Sequence, residues 1–215
     1  MRPLLGRPLI SYAIDAALSS SCFDRVIVNT ESDELGAVAV ELGAEFYKRS
    51  VELAGDNVKN EDYVYDFLKN IETEYLFMVN PTSPLVTPAD IRGFVEKMLV
   101  GGYNSLFSVA TVRAQSFMNG KPLNFDPDAP HTSSQNLTPI ETTCWAITGW
   151  RSRTFIEMYE EKGYATYCGK LGTYPLPAFS SIDIDYEEDF QLAEAMMRFR
   201  MEREDAVAGY EIMQG

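Results

Sequence analysis

Hydrophobic positions in this chain repeat with two periods that take turns along its length. Over residues 8–19, Leu9, Ile10, Ala13, Ile14, Ala17 and Leu18 fall on one stripe, which predicts a helix with one buried face. Arg25-Val-Ile-Val-Asn-Thr30 is a short apolar run, the pattern of a strand covered on both sides. A second helix is expected from Ser32 or Asp33, with Leu35, Val38, Ala39 and Leu42 inward and Gly43 as its stop. Glu45 to Arg49 reads as a strand, and Asn60 to Ile71 as a helix burying Val64, Phe67, Leu68 and Ile71. Tyr75-Leu-Phe-Met-Val-Asn80 is another buried strand. Thr87-Pro88-Ala89-Asp90 carries an N-cap hydroxyl, a proline at the first helical position and an acid in the first turn, so a helix starts there and runs to Gly101-Gly102. Ser105 to Thr111 is the next strand.

The alternation breaks between residues 112 and 140. Asn119-Gly120 is a hairpin turn signal, and Asp126-Pro-Asp-Ala-Pro130 is a loop. An inserted hairpin or arm over residues 114–140 is expected, with Phe117, Met118, Leu123 and Phe125 available to a partner or to the parent domain. The pattern then resumes with a strand over Glu141–Thr148, a helix over Arg151–Lys162, strands over Tyr164–Cys168 and Ile182–Asp185, and a helix from Tyr186 to about Arg203, before an acidic, small-residue tail. No repeat or linker divides residues 1–215, so one domain is expected. Strands alternating with helices predict a layered α/β fold with a mostly parallel sheet.

Ligands of such sheets bind at the carboxyl ends of the strands. The residues there are Asn29-Thr30-Glu31, Lys48-Arg49, Asn80-Pro81-Thr82-Ser83, Arg113, and the pair Asp183 and Asp185. In Ser181-Ile-Asp-Ile-Asp185 the period of two sends both aspartates to one side and both isoleucines to the other. Two carboxylates on one face form half a site for a hard cation. The same stretch also reads more simply: Asp185 as a helix N-cap with Glu188 completing a capping box, and Asp183 solvated. Arg49 could equally serve a local ion pair, and Thr82 and Ser83 an ordinary turn.

Composition narrows the function. The formal net charge of -14 disfavours nucleic acid and anionic membranes as partners. No apolar run is long enough to span a bilayer, and the segment after Met1 does not read as a secretory signal. Cys22, Cys144 and Cys168 have no metal-type spacing, which suits a reducing cytoplasm. The single histidine, His131, lies in a loop-forming stretch, so His-based triads and zinc sites are disfavoured.

Several of these stretches resemble one family, the cytidylyltransferases that activate acidic sugars as CMP derivatives. Leu4-Leu-Gly-Arg-Pro-Leu-Ile10 resembles the lead into the family's first helix. Val28-Asn-Thr-Glu31 resembles its Ser-Thr-Asp strand end, and Arg49 with Leu53-Ala54 and Asp56 its Arg-Pro and acidic segment. Asn80-Pro-Thr-Ser-Pro-Leu85 resembles its Gln-Pro-Thr-Ser-Pro-Leu loop. Ser181-Ile-Asp-Ile-Asp185 with Glu187-Glu-Asp-Phe190 resembles its metal-binding signature. The resemblance implies a Rossmann-like fold of the nucleotide-diphospho-sugar transferase type, Mg²⁺ on Asp183 and Asp185, and transfer of CMP from CTP to an acidic sugar. Asn80, Thr82, Ser83, Arg49 and Thr30 become substrate-binding residues, and a homodimer built through the arm is implied. The sequence departs from the family pattern at Asn80 (Gln), at Ser50 (Pro) and at Glu141-Thr-Thr, where many members carry Asn-Gly-Ala. It also begins after the family's opening strand and phosphate-cradling loop, which implies unpaired backbone on the neighbouring strands. Two alternatives follow: a binding protein without turnover, and a glycosyltransferase using Asp183-Ile-Asp185 as its Asp-x-Asp pair.

Overall fold

The computed structural model describes residues 2–55 and 57–212, with side chains through Arg203. A short hairpin pairs β1 (Pro3–Leu4) with β2 (Arg7–Pro8) and leads into α1 (Leu9–Ser20). Next come β3 (Ile27–Thr30), α2 (Asp33–Glu41), β4 (Glu45–Lys48), α3 (Asn60–Asn70), β5 (Tyr75–Val79), α4 (Pro88–Gly101) and β6 (Ser105–Val112). The hairpin β7 (Phe117–Met118) and β8 (Lys121–Pro122) projects from the region after β6. Its turn residues Asn119 and Gly120 have φ of 53° and 77°, the left-handed pair that a two-residue turn requires. The chain closes with β9 (Ile140–Arg151), α5 (Ser152–Lys162), β10 (Leu171–Pro175) and α6 (Glu187–Ile212).

The main sheet has four strands in the order β10-β6-β9-β5. β10 lies parallel to β6, and β9 runs antiparallel to both of its neighbours, so β10, β6 and β5 point one way, as expected of a mostly parallel sheet, and β9 alone is reversed. The arm explains this reversal: the chain leaves the end of β6, makes its excursion and returns alongside in the opposite sense, so no crossover is needed.

Helices cover both sides of the sheet. Tyr75, Phe77 and Val79 join the cluster of α1 and α4, while Leu76 and Met78 join that of α3 and α5. β3 and β4 form a separate parallel ladder. β3 belongs to the same layers, since Val26 packs with the α1 and α4 cluster and Ile27 with the α3 cluster. Among the described residues no ladder joins β3 to β5.

Two expectations need correction. Tyr164–Cys168 is not a strand. The Glu61 carboxylate, 9% exposed, accepts the N–H groups of Ala165 (3.0 Å) and Thr166 (3.2 Å) and the Thr166 hydroxyl (2.8 Å), while the Thr166 carbonyl takes the indole N–H of Trp150. With its polar groups drawn to side chains, the segment stays irregular, and the sheet is rejoined later at β10. Ile182–Asp185 forms no ladder either. It is an extended segment joined to the turn after β5 by one backbone bond, Ile184 N–H to the Thr82 carbonyl at 2.9 Å. The periodicity of two still holds there: Ile182 and Ile184 enter a cluster with Leu4, Leu85 and Phe190, leaving the aspartates to the other side.

Candidate active site

β5 ends at Val79, and the turn that follows is built by Asn80. Its N–H donates to the Ala146 carbonyl of β9 at 2.9 Å, its Oδ1 accepts the Thr82 N–H at 3.3 Å, and its carbonyl accepts the Ser83 N–H at 3.1 Å. These bonds hold Thr82 and Ser83 against the segment before α6. Both hydroxyls donate to the same oxygen, Asp183 Oδ1, Ser83 at 3.4 Å and Thr82 at closer range. Ser83 is buried and Asp183 half-buried, while Asp185 is exposed. The structure therefore brings together Asn80, Thr82, Ser83 and Asp183, with Asp185 two residues away along the same extended backbone.

The expected cap at Asp185 with Glu188 does not form. Asp189 reaches back instead, its Oδ2 accepting the N–H groups of Asp185 (3.2 Å) and Tyr186 (2.9 Å). The helix starts at Glu187, and the Tyr186 carbonyl accepts the Phe190 N–H, which puts the cap on Tyr186 with Asp189 in the third position. The shift relieves Asp185 of cap duty and leaves its carboxylate exposed.

A second cluster lies at the ends of β3 and β4. The Arg49 guanidinium, 15% exposed, donates to Glu31 Oε2 at 2.7 Å and stands 4.8 Å from the centre of the Tyr63 ring. This hydrogen bond from Arg49 holds the Glu31 carboxyl below the usual carboxylate range. Burial pushes the Tyr63 phenol up, and Tyr63 Oη lies 3.9 Å from Met78 Sδ of β5. Arg49 Nε and Asn29 Oδ1 are both buried without a hydrogen-bond partner, in a layer where such atoms normally find one. Thr30 is buried, with its hydroxyl accepting the Ser32 N–H at 3.2 Å. Lys48 pairs with Asp33 at the surface, and Arg113 donates to the Leu137 carbonyl on the exposed rim. Asp56 lies outside the described residues.

Periodicity gave no sign of Tyr63 or Glu61, because both sit on a helix whose pattern already accounts for its inward face. An unexpected glutamate at a buried position was the one available signal. Among the described residues, no group of three or more His, Cys, Asp or Glu gathers as a metal cage, and no helix is long and apolar enough to cross a membrane.

A doubly covered α/β sheet with a polar turn and an acidic segment meeting at its strand ends defines a nucleotidyltransferase-type domain. CMP:2-keto-3-deoxy-manno-octonic acid synthetase, solved with CTP, has the same fold: TM-score 0.65 at 13% identity, covering 93% of this chain and 91% of that one. The 4-diphosphocytidyl-2C-methyl-D-erythritol synthase of Anaerococcus prevotii matches likewise, at TM-score 0.65 and 12% identity over 91% of this chain and 88% of that one. The cytidylyltransferase family profile matches residues 1–205, and the chain belongs to that family. It is similar to the CMP-N,N'-diacetyllegionaminic acid synthase of Legionella pneumophila, 38% identical over 94% of this chain and 90% of that protein. It is also similar to the N-acylneuraminate cytidylyltransferases of Escherichia coli (41% identical over 88% of this chain) and Oncorhynchus mykiss (30% over 93%). The chain spans about half the length of these last two, 46% of each.

Proposed function

We propose that this protein transfers CMP from CTP to an acidic sugar of the nonulosonic or octulosonic class, with release of pyrophosphate. The observation that carries the reading is the Asp183 carboxylate clasped by the hydroxyls of Thr82 and Ser83. Both hydroxyls use Oδ1, which leaves Oδ2 to a ligand. With Asp185 exposed nearby, the donor set is two carboxylates and no nitrogen or sulfur. That fits Mg²⁺, an ion usually held by one or two carboxylates together with substrate phosphates. When bound, Mg²⁺ supplies charge neutralisation at the phosphates and lowers the pKa of the attacking sugar hydroxyl.

The residues of the chain do the positioning. Asn80 holds the turn through its Oδ1, and its amide nitrogen is the group assigned to the nucleotide or sugar. Thr82 and Ser83 fix the Asp183 rotamer, so the carboxylate pays little reorganisation when substrate arrives. Arg49, held by Glu31 and Tyr63, offers a largely buried cation to the anionic end of a substrate. The sugar hydroxyl oxygen forms its bond to the α-phosphorus, its proton leaves to water, and the bond to pyrophosphate breaks in line.

Pyrophosphate release from CTP and Mg²⁺, measured over a panel of eight- and nine-carbon acidic sugars, tests this. We expect release with at least one sugar, and a fall of roughly 100-fold or more for Asp183→Asn, which keeps an acceptor for both hydroxyls but removes the charge. No release while sugar or Mg²⁺ still binds would favour a binding protein. Cleavage of a sugar nucleotide without CTP consumption would favour a glycosyltransferase.

The arm is proposed as a contact for a second copy. Phe117 and Met118 are 62% and 61% exposed at its tip, and Leu123 is 48% exposed beside them. A homodimer by sedimentation that dissociates in Phe117→Ser/Met118→Ser would support the arm, and an unchanged dimer would remove it. Unpaired thiols at Cys22, Cys144 and Cys168 support a cytoplasmic setting.

A further inference from the structure

α6 lays Phe190, Ala193 and Met197 against the apolar cluster beneath the acidic segment, and all three are buried. Their spacing of three and then four residues makes Arg200 the next position on that inward stripe. The pattern calls for an apolar side chain there, and the chain supplies an arginine. Half-buried, Arg200 donates through Nη2 to the Leu85 carbonyl at 2.7 Å.

Leu85 ends the turn that begins at Asn80, and it is fully buried. It lies in neither a helix nor a ladder, so no regular element offers its carbonyl a partner. The local backbone is short of donors as well, since Pro84 has no N–H and the Val86 N–H goes to the Ser83 carbonyl at 3.2 Å. A guanidinium answers this need with a charge-assisted bond, stronger than a neutral donor would give. Its methylene stem still covers the apolar cluster.

The turn is therefore gripped twice by one stretch of chain. Ahead of α6, Asp183 takes the Thr82 and Ser83 hydroxyls, and the Ile184 N–H bonds the Thr82 carbonyl. About three and a half turns into the helix, Arg200 takes the far end of the same turn. One grip leaves a hinge about which the turn can swing; two grips remove it. Reacting groups have to be held within about 0.5 Å of their productive placement, and residues outside the reacting set do that work.

We propose that Arg200 is a positioning residue for nucleotidyl transfer: by holding the Leu85 carbonyl it fixes the rear of the Asn80–Leu85 turn against α6 and keeps Thr82 and Ser83 on Asp183. The inference rests on the reading of the chain as a CMP-sugar synthetase and adds the outer residue that sets the placement of that site.

The test has two readouts, one of them independent of turnover. Arg200→Met keeps the length of the side chain and the apolar stripe but removes the donor, whereas Arg200→Lys keeps a charged donor. Arg198→Met removes a cation that pairs with Glu194 at the surface, and controls for charge. Hydrogen exchange of the free protein is followed at the Ser83 and Ile184 amides, which bond the Asn80 and Thr82 carbonyls. We expect exchange there to quicken roughly tenfold in Arg200→Met, to stay within about threefold of native in the other two variants, and to be unchanged in the β6–β9 ladder. In pyrophosphate release, kcat should fall roughly tenfold in Arg200→Met while KM for CTP stays within about twofold, and Arg200→Lys should recover kcat to within about threefold of native. Unchanged exchange at Ser83 and Ile184, an equal quickening in the β6–β9 ladder, or an unchanged kcat in folded Arg200→Met overturns the proposal while the functional reading stands. If the native chain releases no pyrophosphate with any acidic sugar, that reading fails and the role in transfer with it, and the exchange data still decide whether Arg200 holds the turn.

Discussion

Replacing Asp189 by alanine separates the observed helix start from the one suggested by sequence. Asp189 Oδ2 accepts two backbone N–H groups, at 3.2 and 2.9 Å, at the first turn of α6. Loss of a capping acceptor costs about 1 kcal/mol, and loss of a negative charge at a helix N-terminus about 0.3–1 kcal/mol more. The sum is about 1.5 kcal/mol, which for a domain of this size lowers Tm by roughly 3–6 °C. Glu188→Ala removes an exposed first-turn charge with no part in the cap, about 0.3 kcal/mol, and should lower Tm by about 1 °C. Asp189→Asn keeps an acceptor and should lie between them. Thermal denaturation by circular dichroism measures all three. Because the two bonds also fix the backbone of Asp185, pyrophosphate release by Asp189→Ala at 25 °C should fall although the protein is still folded. Equal losses from Glu188→Ala and Asp189→Ala, or a neutral Asp189→Ala, would refute the placement of the cap.

Three further outcomes follow from packing and burial. Gly36→Ala should destabilise even though alanine favours helices, because its Cβ would stand 2.5 Å from Phe46 Cε1; a propensity gain of at most about 1 kcal/mol is set against overpacking of about 1–3 kcal/mol, and an unchanged Tm would mean that Phe46 moves aside. Glu61→Ala strips the acceptor from three donors around Ala165 and Thr166 and should cost about 3 kcal/mol in urea unfolding, whereas a loss under about 1 kcal/mol would show that water replaces the carboxylate. Burial pushes the Cys168 thiol up to about 11 from its ordinary 9, so its stabilising contribution is complete below pH 9 and declines as pH rises toward 11. The native protein should therefore spare Cys168 from iodoacetamide at pH 8.5, and Cys168→Ala should flatten the alkaline fall in Tm; rapid alkylation of Cys168 would contradict the burial.

Much of this molecule was legible from local chemistry. Thr87, Pro88 and Asp90 wrote a helix start that forms as read, with the Thr87 hydroxyl and Asp90 carboxylate satisfying each other's backbone N–H. Asn119-Gly120 wrote the hairpin turn, and alternation over Ile182–Asp185 correctly divided isoleucines from aspartates. In each case the determining contacts lie within a few residues, where spacing alone specifies which groups meet. The direction of β9, the irregular path of residues 164–168, and the clasp on Asp183 depended on partners far away in the chain. Glu61 reaches Ala165 across 104 positions, and Thr82 reaches Asp183 across 101. Arg200 likewise reaches Leu85 across 115. Amino-acid order sets the period and the caps, because those energies are local. Only the folded chain decides which buried polar group captures which distant backbone, because that choice is made by desolvation once the layers close.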